Sequence, residues 1–308
     1  SWAIFFKIGF VKIPAWACIF NGISLHIFQT LSNIDRIRIP TTDYSPIHYF
    51  FNHACSAFIT VLEIMKVTLS YNLGCHLDIF LFVVITASCF YISAWEEYNI
   101  HKFILGYLNG PDEGIFILTF AQILVPFYEN QLRFLILYST TRIMFITFSS
   151  VVAVSCFLNV IIHSIKQPTR RIKKAIISLL PEVITILIFV ALLFCYYDPV
   201  WTPYFTITQG FIIVYIGQLT VLAFITRRSS KKIINTSVYV MWILSLIPVV
   251  FSTINENELY WAAFAIGMFV YMLYFDIQIL KTLSNILNTP IFAIPKNEVK
   301  STSLPQRK

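Results

Sequence analysis

A cluster of polar residues lies between Leu31 and Phe58, in a chain that otherwise carries little charge. Histidine, carboxylate and hydroxyl side chains at this spacing can coordinate a metal ion or transfer a proton. Charged residues at membrane depth cost roughly 3 kcal/mol each, so such a cluster predicts a functional site. The polar members are Asp35, Arg36, Arg38, Asp43, His48, Asn52, His53 and Ser56.

The composition indicates a membrane protein. The chain has 308 residues, of which 57% are hydrophobic and only 12% are charged, whereas soluble domains average roughly 25% charged residues. The net charge of +7 fits basic loops near anionic lipid, and the absence of a soluble basic domain argues against nucleic-acid binding. The cysteines are scattered singly, which predicts small buried hydrophobic residues.

Apolar stretches long enough to cross about 30 Å of hydrocarbon predict about nine transmembrane helices. We expect an all-α polytopic membrane protein with a single transmembrane domain over 1–295 and a polar cytosolic tail over 296–308. The chain opens at Ser1 within an apolar run, so we expect either a fragment or a product without its true N-terminus. The predicted spans are about 8–32, 48–70, 77–97, 114–131, 142–165, 175–196, 205–226, 234–253 and 260–285.

Basic residues fall in alternate connections between these spans. They follow the fifth, seventh and ninth spans, within 170–174, 227–232 and 296–308. The positive-inside rule then places the C-terminus on the cytosolic side, and counting back places the 32–46 loop and the segment "WEEYNIHKFILGYLNGPDEG" there too. The two polar segments are therefore expected to share one site.

The chain resembles the choline/ethanolamine phosphotransferases of the CDP-alcohol phosphatidyltransferase superfamily. The segments that carry the resemblance are "PAWACIFNGISLHIFQTLSNID", "SPIHYFFNHACSAF", "WEEYNIHKFILGYLNGPDEG" and "YFDIQILKTLSNILNTPIFAIPK". The resemblance implies transfer of phosphocholine or phosphoethanolamine from CDP-choline or CDP-ethanolamine to diacylglycerol, with release of CMP and with Mg²⁺ or Mn²⁺ as cofactor. It also implies an endoplasmic reticulum or Golgi membrane, and a homodimer or a heterodimer with a paralogue.

The superfamily supplies four aspartates, and the resemblance places Ser32, Asp35, Asn52 and Ser56 at their positions, with Ser56 at that of the base. Of the residues at these four positions, Asp35 is the one that carries a carboxylate for metal binding. The neutral hydroxyl of Ser56 is a poor base. We therefore expect weak metal binding and little or no activity. The alternative function is that of a non-catalytic lipid-binding protein or a partner subunit of an active paralogue.

Several further polar residues have both a functional and a structural interpretation. Arg36 and Arg38 beside Asp35 fit either retained nucleotide contacts or a solvated cytosolic turn. His53 fits either catalysis or packing, and Glu97, with Glu96, fits either the substrate cavity or a structural pairing with basic loop residues.

Acidic residues within the predicted spans are expected to pair inside the helix bundle. Glu63 and Lys66 are three residues apart and can pair along one helix. Glu182 and Asp276 lie in the sixth and ninth predicted spans, where we expect side-chain partners from neighbouring helices rather than an open cavity.

Overall fold

A computed structural model describes residues 15–38, 46–70, 77–100, 169–195, 202–227, 235–251, 258–288 and 290, together with scattered residues between 119 and 162. Within these ranges some side chains at helix ends are left undescribed, including those of 32–38. Nearly all of the described residues are helical, and none of them lies in a strand. The prediction of an all-α fold is therefore confirmed.

The long helices in the described part of the chain are numbered here in chain order. They are α1 (Ala15–Arg38), α2 (Pro46–Ser70), α3 (Leu77–Ile100), α4 (Thr169–Cys195), α5 (Thr202–Ile225), α6 (Thr236–Val250) and α7 (Glu258–Leu287).

Four of these helices contain a stretch long and apolar enough to cross a membrane. The stretches are Phe80–Ile100, Ala175–Phe194, Tyr204–Ile225 and Leu259–Leu287, and two shorter apolar stretches occur at Trp16–Phe28 and Thr236–Pro248. A polytopic helical membrane protein is consistent with this pattern. Nine spans are not confirmed, because most of the fourth and fifth predicted spans lie outside the described residues.

The predicted loop after residue 32 is wrong in its first part, because α1 continues to Arg38. In the sequence, Leu31, Ile34 and Ile37 continue the helical spacing of apolar residues, and Pro40 follows shortly after the helix ends. Ser32, Asp35, Arg36 and Arg38 therefore belong to the last turns of a helix rather than to a turn, and the choice between nucleotide contacts and solvation for Arg36 and Arg38 stays open.

Helix α5 forms the centre of the bundle. In the most apolar stretch of 18 residues in α5, 89% of the residues are buried. Helices α2, α3 and α7 pack around α5. A Cβ atom added at Gly210 would lie 2.8 Å from Val83 Cγ1 and 3.2 Å from Val61 Cγ1. Glycine thus allows α2 and α3 to approach the α5 backbone, as small residues do between membrane helices.

Contacts along α5 fix the directions of its neighbours. Gly210 adjoins Val83 and Gly217 adjoins Phe90, so α3 runs parallel to α5. Gln218 contacts Asp276 and Phe205 contacts Trp261, so α7 is also parallel to α5.

The motif helix α2 runs antiparallel to α5. Near one end Tyr49 contacts Phe224, and near the middle Phe58 contacts Phe211. The N-terminal end of α2 therefore lies beside the C-terminal ends of α3, α5 and α7.

Candidate functional site

The first turns of α2 present polar and aromatic side chains towards α3. Asn52 and Ser56 are four residues apart, so they lie on one face of the helix, and His53 is offset from them by about 100°. The rings of Tyr49 and His53 are 4.6 Å apart, and His53 also lies 6.4 Å from the ring of Phe90 on α3. The side of α2 that bears His53 therefore packs against α3.

His53 meets Glu97 across this helix interface. His53 Nε2 lies 3.8 Å from Glu97 Oε2, and the two side chains are 22% and 8% exposed. The Tyr49 hydroxyl also faces the Glu97 carboxylate. At 3.8 Å the histidine contact is longer than a hydrogen bond, so it is an electrostatic contact when the imidazole is protonated.

Glu96 places a second carboxyl group beside Glu97. It is 5% exposed, and its Oε1 atom has no hydrogen-bond partner among the described residues. Consecutive residues of a helix point about 100° apart, so Glu96 and Glu97 leave α3 in different directions. The residue that meets Glu97 is His53 of another helix, α2, whereas the structural interpretation of these glutamates assumed a basic loop residue.

The donors seen around α2 fit a divalent metal poorly. In the described part of the chain, no group of three His, Cys, Asp or Glu side chains is arranged to hold a metal ion. Asn52 and Ser56 offer neutral oxygens, whereas Mg²⁺ is usually held by carboxylates and phosphates. We therefore derive no catalytic step through a metal ion from these residues.

The remaining sequence-predicted site residues lie in the last turns of α1. The backbone at Ser32, Asp35, Arg36 and Arg38 is helical, and Ser32 and Asp35 are one turn apart. Their side chains are outside the described part of the structure, as is the NGPDEG segment. Their proximity to α2 and α3 remains a prediction from the sequence.

Sequence reasoning missed Tyr49 as a member of this site. Tyr49 precedes His53 by four residues, which is the spacing that places two side chains on one helical face. The four-residue spacing could have been used to predict that Tyr49 and His53 lie in one site. Its partner Glu97, in contrast, is brought to it by the packing of α2 against α3, which no local pattern encodes.

Three other acidic residues, Asp276, Glu63 and Glu182, differ in their hydrogen-bond partners. Gln218 Nε2 donates to Asp276 Oδ2 at 3.2 Å, which confirms the predicted pairing for Asp276. Glu63 pairs with Lys66, as predicted, and also accepts a 3.1 Å hydrogen bond from Gln122. Glu182 has no close hydrogen-bond partner for either carboxyl oxygen among the described residues, although its carboxyl group faces the Ser88 hydroxyl of α3, so its pairing stays a prediction.

The helices and their apolar lengths define the class of protein first: an all-helical integral membrane protein. Comparison with known proteins then narrows that class. The chain is 31% identical over 134 residues to uncharacterized CDP-alcohol phosphatidyltransferase class-I family protein 3 of Dictyostelium discoideum, covering 41% of this chain and 34% of the relative. No family model matches the chain.

Two relatives carry more specific names. Choline/ethanolaminephosphotransferase 1 of Arabidopsis thaliana is 34% identical over 103 residues, covering 33% of this chain and 26% of the relative. Cholinephosphotransferase 1 of Saccharomyces cerevisiae is 32% identical over 120 residues, covering 38% of this chain and 30% of the relative. The matches thus span about a third or less of each relative's length.

The resemblance seen in the sequence is confirmed at the level of homology. Over part of its length, the chain is a homologue of CDP-alcohol phosphatidyltransferase class-I proteins, which include choline/ethanolaminephosphotransferases.

Proposed function

We propose that this protein is a choline/ethanolamine phosphotransferase homologue of phospholipid synthesis with strongly reduced or no catalytic activity. The substrates proposed for it from homology are CDP-choline or CDP-ethanolamine and diacylglycerol. The observation that carries the proposal is the polar junction of α2 with α3, where His53 and Tyr49 meet Glu97. That junction joins two of the segments that carry the family resemblance, "SPIHYFFNHACSAF" on α2 and "WEEY" at the end of α3.

The chemistry of the junction suits recognition of a cationic headgroup. Glu97 is largely buried, the Tyr49 hydroxyl faces its carboxylate, and the Tyr49 ring packs against His53 and Phe224 nearby. A carboxylate in an aromatic environment attracts choline or ethanolamine by charge, and neighbouring aromatic rings add cation–π attraction. In this proposal Arg36 and Arg38 of α1 contribute positive charge for the phosphates of the nucleotide.

Loss of negative charge at the motif positions supports reduced activity. Ser32, Asn52 and Ser56 stand where the family has aspartates, so Asp35 is the one acidic residue at these positions. Two divalent ions carry four positive charges, and one carboxylate balances a quarter of that charge. Without the metal ions the leaving nucleotide and the attacking hydroxyl lose their electrostatic stabilisation.

A membrane assay tests the proposed loss of activity. Membranes containing the full chain are incubated with CDP-choline or CDP-ethanolamine and diacylglycerol, with Mg²⁺ or with a chelator. We expect product formation no higher than in membranes without the chain. Robust metal-dependent turnover by the unaltered chain would overturn the reduced-activity proposal.

Ligand binding tests the retained site independently of turnover. CDP-choline and CMP are titrated against purified chain, alongside the variants Arg38→Ala and Glu97→Gln. We expect CMP affinity to fall in Arg38→Ala and to persist in Glu97→Gln, because CMP lacks the headgroup. Equal affinity of all three proteins for both ligands would contradict the assigned roles.

The second candidate function is that of a non-catalytic lipid-binding or partner subunit, which the replaced motif positions favour. It predicts association with an active paralogue in the same membrane, and an effect of this chain on the paralogue's activity. Co-purification without measurable CMP or CDP-choline binding would favour this function over a retained nucleotide site.

A further inference from the structure

The last turns of α3 are fastened by hydrogen bonds to a short stretch of α4. Tyr91 donates its hydroxyl to the Ser178 carbonyl oxygen. Trp95 Nε1 donates to Ser178 Oγ at 2.9 Å and to the Ala175 carbonyl oxygen at 3.1 Å. Asn99 Nδ2 donates to Ser178 Oγ at 3.3 Å. Three side chains of α3 therefore reach the same turn of α4.

These contacts lie on the face of α3 opposite to Glu97. Tyr91, Trp95 and Asn99 follow one another at intervals of four residues, which places them on one face of the helix. Glu97 is two residues from Trp95 and two from Asn99, and two steps of about 100° carry its side chain to the other side. Glu97 accordingly meets His53 of α2, while the other three side chains meet α4.

Trp95 is the most firmly held of the three side chains. It is 3% exposed, and its single indole N–H is directed at the two acceptors on α4. Ser178 is also buried, and its own hydroxyl donates to the Ala175 carbonyl oxygen at 2.9 Å. The ring of Phe157 stacks on the indole, with the centroids 6.1 Å apart. A turn of α3 about its axis would break the Trp95 hydrogen bond and leave a buried donor unsatisfied.

A small rotation of α3 would displace the Glu97 carboxyl group. A helix with its side chains has a radius of about 5–6 Å, so a rotation of about 10° moves a group at that radius by about 1 Å. His53 Nε2 and Glu97 Oε2 lie 3.8 Å apart. A shift of that size is large on the scale of this contact, so the rotation of α3 decides whether Glu97 meets α2.

We propose that Trp95, held by Ser178, is the positioning residue that directs Glu97 towards α2. Trp95 touches no ligand in this role and acts through the rotation of α3. Its effect on headgroup binding rests on the proposed function, whereas its effect on the contact between Glu97 and α2 does not. The tryptophan of "WEEY" thus has a role distinct from that of the glutamates that follow it.

Cross-linking between α2 and α3 tests this role without a ligand. In the full chain without its native cysteines, His53→Cys and Glu97→Cys are joined in membranes by a short bis-methanethiosulfonate reagent, and mass spectrometry measures the rate. Trp95→Phe is then added, which keeps an aromatic ring and removes the N–H. We expect the rate to fall severalfold, because position 97 turns away from α2.

Trp242→Phe is the matched control. Trp242 is also buried, and its Nε1 donates at 2.9 Å to Thr185 Oγ1 of the same helix α4, but it belongs to α6. Its loss should lower Tm about as much as Trp95→Phe does and should leave the cross-linking rate unchanged. An equal effect of both variants on the rate, or no effect of Trp95→Phe, would overturn the positioning role.

Ligand affinity tests the consequence for the headgroup site. We expect Trp95→Phe to lower the affinity for CDP-choline severalfold and to leave the affinity for CMP unchanged, since CMP lacks the headgroup. Equal losses of both affinities would indicate a merely destabilised chain and would overturn the role in recognition. If the unaltered chain binds no CDP-choline while Trp95→Phe still slows cross-linking, the proposed headgroup site fails and the positioning of Glu97 stands.

Ser178→Ala provides a milder variant for the case that Trp95→Phe does not fold. It removes the hydroxyl acceptor and leaves Trp95 the Ala175 carbonyl oxygen. Cross-linking and CDP-choline affinity should both fall, by less than in Trp95→Phe. A folded Ser178→Ala chain with the cross-linking rate of the unaltered chain would contradict the role of Ser178 in holding Trp95.

Discussion

At the scale of single residues, the contact between His53 and Glu97 connects two segments that are far apart in the chain. The carboxylate is buried and its Oε2 atom has no hydrogen-bond partner among the described residues. The buried Glu97 carboxyl group can bind a cationic headgroup, or it can stabilise the packing of α2 against α3 through its contact with the His53 imidazole. The two roles predict different outcomes when each partner is removed in turn.

Replacement of Glu97 should weaken headgroup recognition more than it weakens the fold. In Glu97→Gln the shape is kept while the charge is lost, so we expect the affinity for CDP-choline to fall about tenfold, as for a lost charge contact worth roughly 1–2 kcal/mol. The affinity for CMP should be unchanged. Isothermal titration with both nucleotides measures this difference.

The matched variant on the other helix is His53→Asn. It removes the imidazole and keeps Glu97 available, so CDP-choline binding should be retained or slightly strengthened. A parallel loss of CDP-choline affinity in both variants, with equal falls in Tm, would indicate a purely structural pair.

At the scale of elements, the close approach around α5 depends on glycine. In Gly210→Ala the new methyl group would meet Val83 Cγ1 at 2.8 Å and Val61. Both neighbours are β-branched and stiff, so we expect a cost of about 1–3 kcal/mol from overpacking. Thermal unfolding in detergent should show a Tm several degrees lower.

Gly267 on α7 provides the control for this substitution. A Cβ atom there meets no atom within 4 Å, and alanine has the higher helix propensity by about 1 kcal/mol. Gly267→Ala should leave Tm unchanged or raise it. If Gly210→Ala and Gly267→Ala behaved alike, the tight packing of α5 against α2 and α3 would be contradicted.

The start of α6 is held by one side chain in two ways. Asn235 Oδ1 accepts a hydrogen bond from the Val238 amide at 3.2 Å, and Asn235 Nδ2 donates to the Tyr215 hydroxyl at 3.1 Å. Asn235→Ala removes the cap and the contact with α5, and the cap by itself is worth about 1 kcal/mol.

Asn235→Asp separates the two contributions of Asn235. An aspartate keeps the capping oxygen but loses the amide donor to Tyr215. Its Tm should therefore lie between those of the unaltered chain and Asn235→Ala. A Tm for Asn235→Asp at or below that of Asn235→Ala would show that the cap contributes little.

At the scale of the whole molecule, the helix ends on one side of the bundle carry the proposed site. The N-terminal end of α2 lies beside the C-terminal ends of α3 and α5. The distribution of basic residues in the sequence predicts that this side is cytosolic.

Labelling of single cysteines tests the orientation. In a background without the native cysteines, Arg227→Cys after α5 and Leu259→Cys at the start of α7 lie on opposite sides. An impermeant maleimide added to sealed microsomes should label Arg227→Cys at once, and should label Leu259→Cys only after detergent. The reverse pattern would place the site on the lumenal side.

The positions of the helices were predictable from local patterns. The observed bounds of α2, α3, α5 and α7 differ from the predicted spans by a few residues at most, because long apolar runs have no alternative to helix in a membrane. The predicted first span ends at about residue 32, short of the observed end of α1 at Arg38. The last turns of α1 are polar, and charged residues are more typical of a loop than of a membrane helix.

What the sequence determined by itself was the class of protein, the helices and the identity of the motif residues. Composition and apolar length suffice for the first two, and the segments that resemble the phosphotransferases suffice for the third. The pairing of Glu63 with Lys66 was also predictable from the sequence, because the two residues lie three positions apart on one helix.

Only the tertiary structure decided which side chains from different helices meet. It brought Glu97 to His53, gave Asp276 a partner in Gln218, and placed the Glu182 carboxyl group opposite Ser88. These outcomes depend on how α2 and α4 pack against α3 and on how α7 packs against α5. Hydrophobic periodicity defines the buried face of a helix but does not specify the residue opposite, because that residue is set by the relative rotation and depth of two helices.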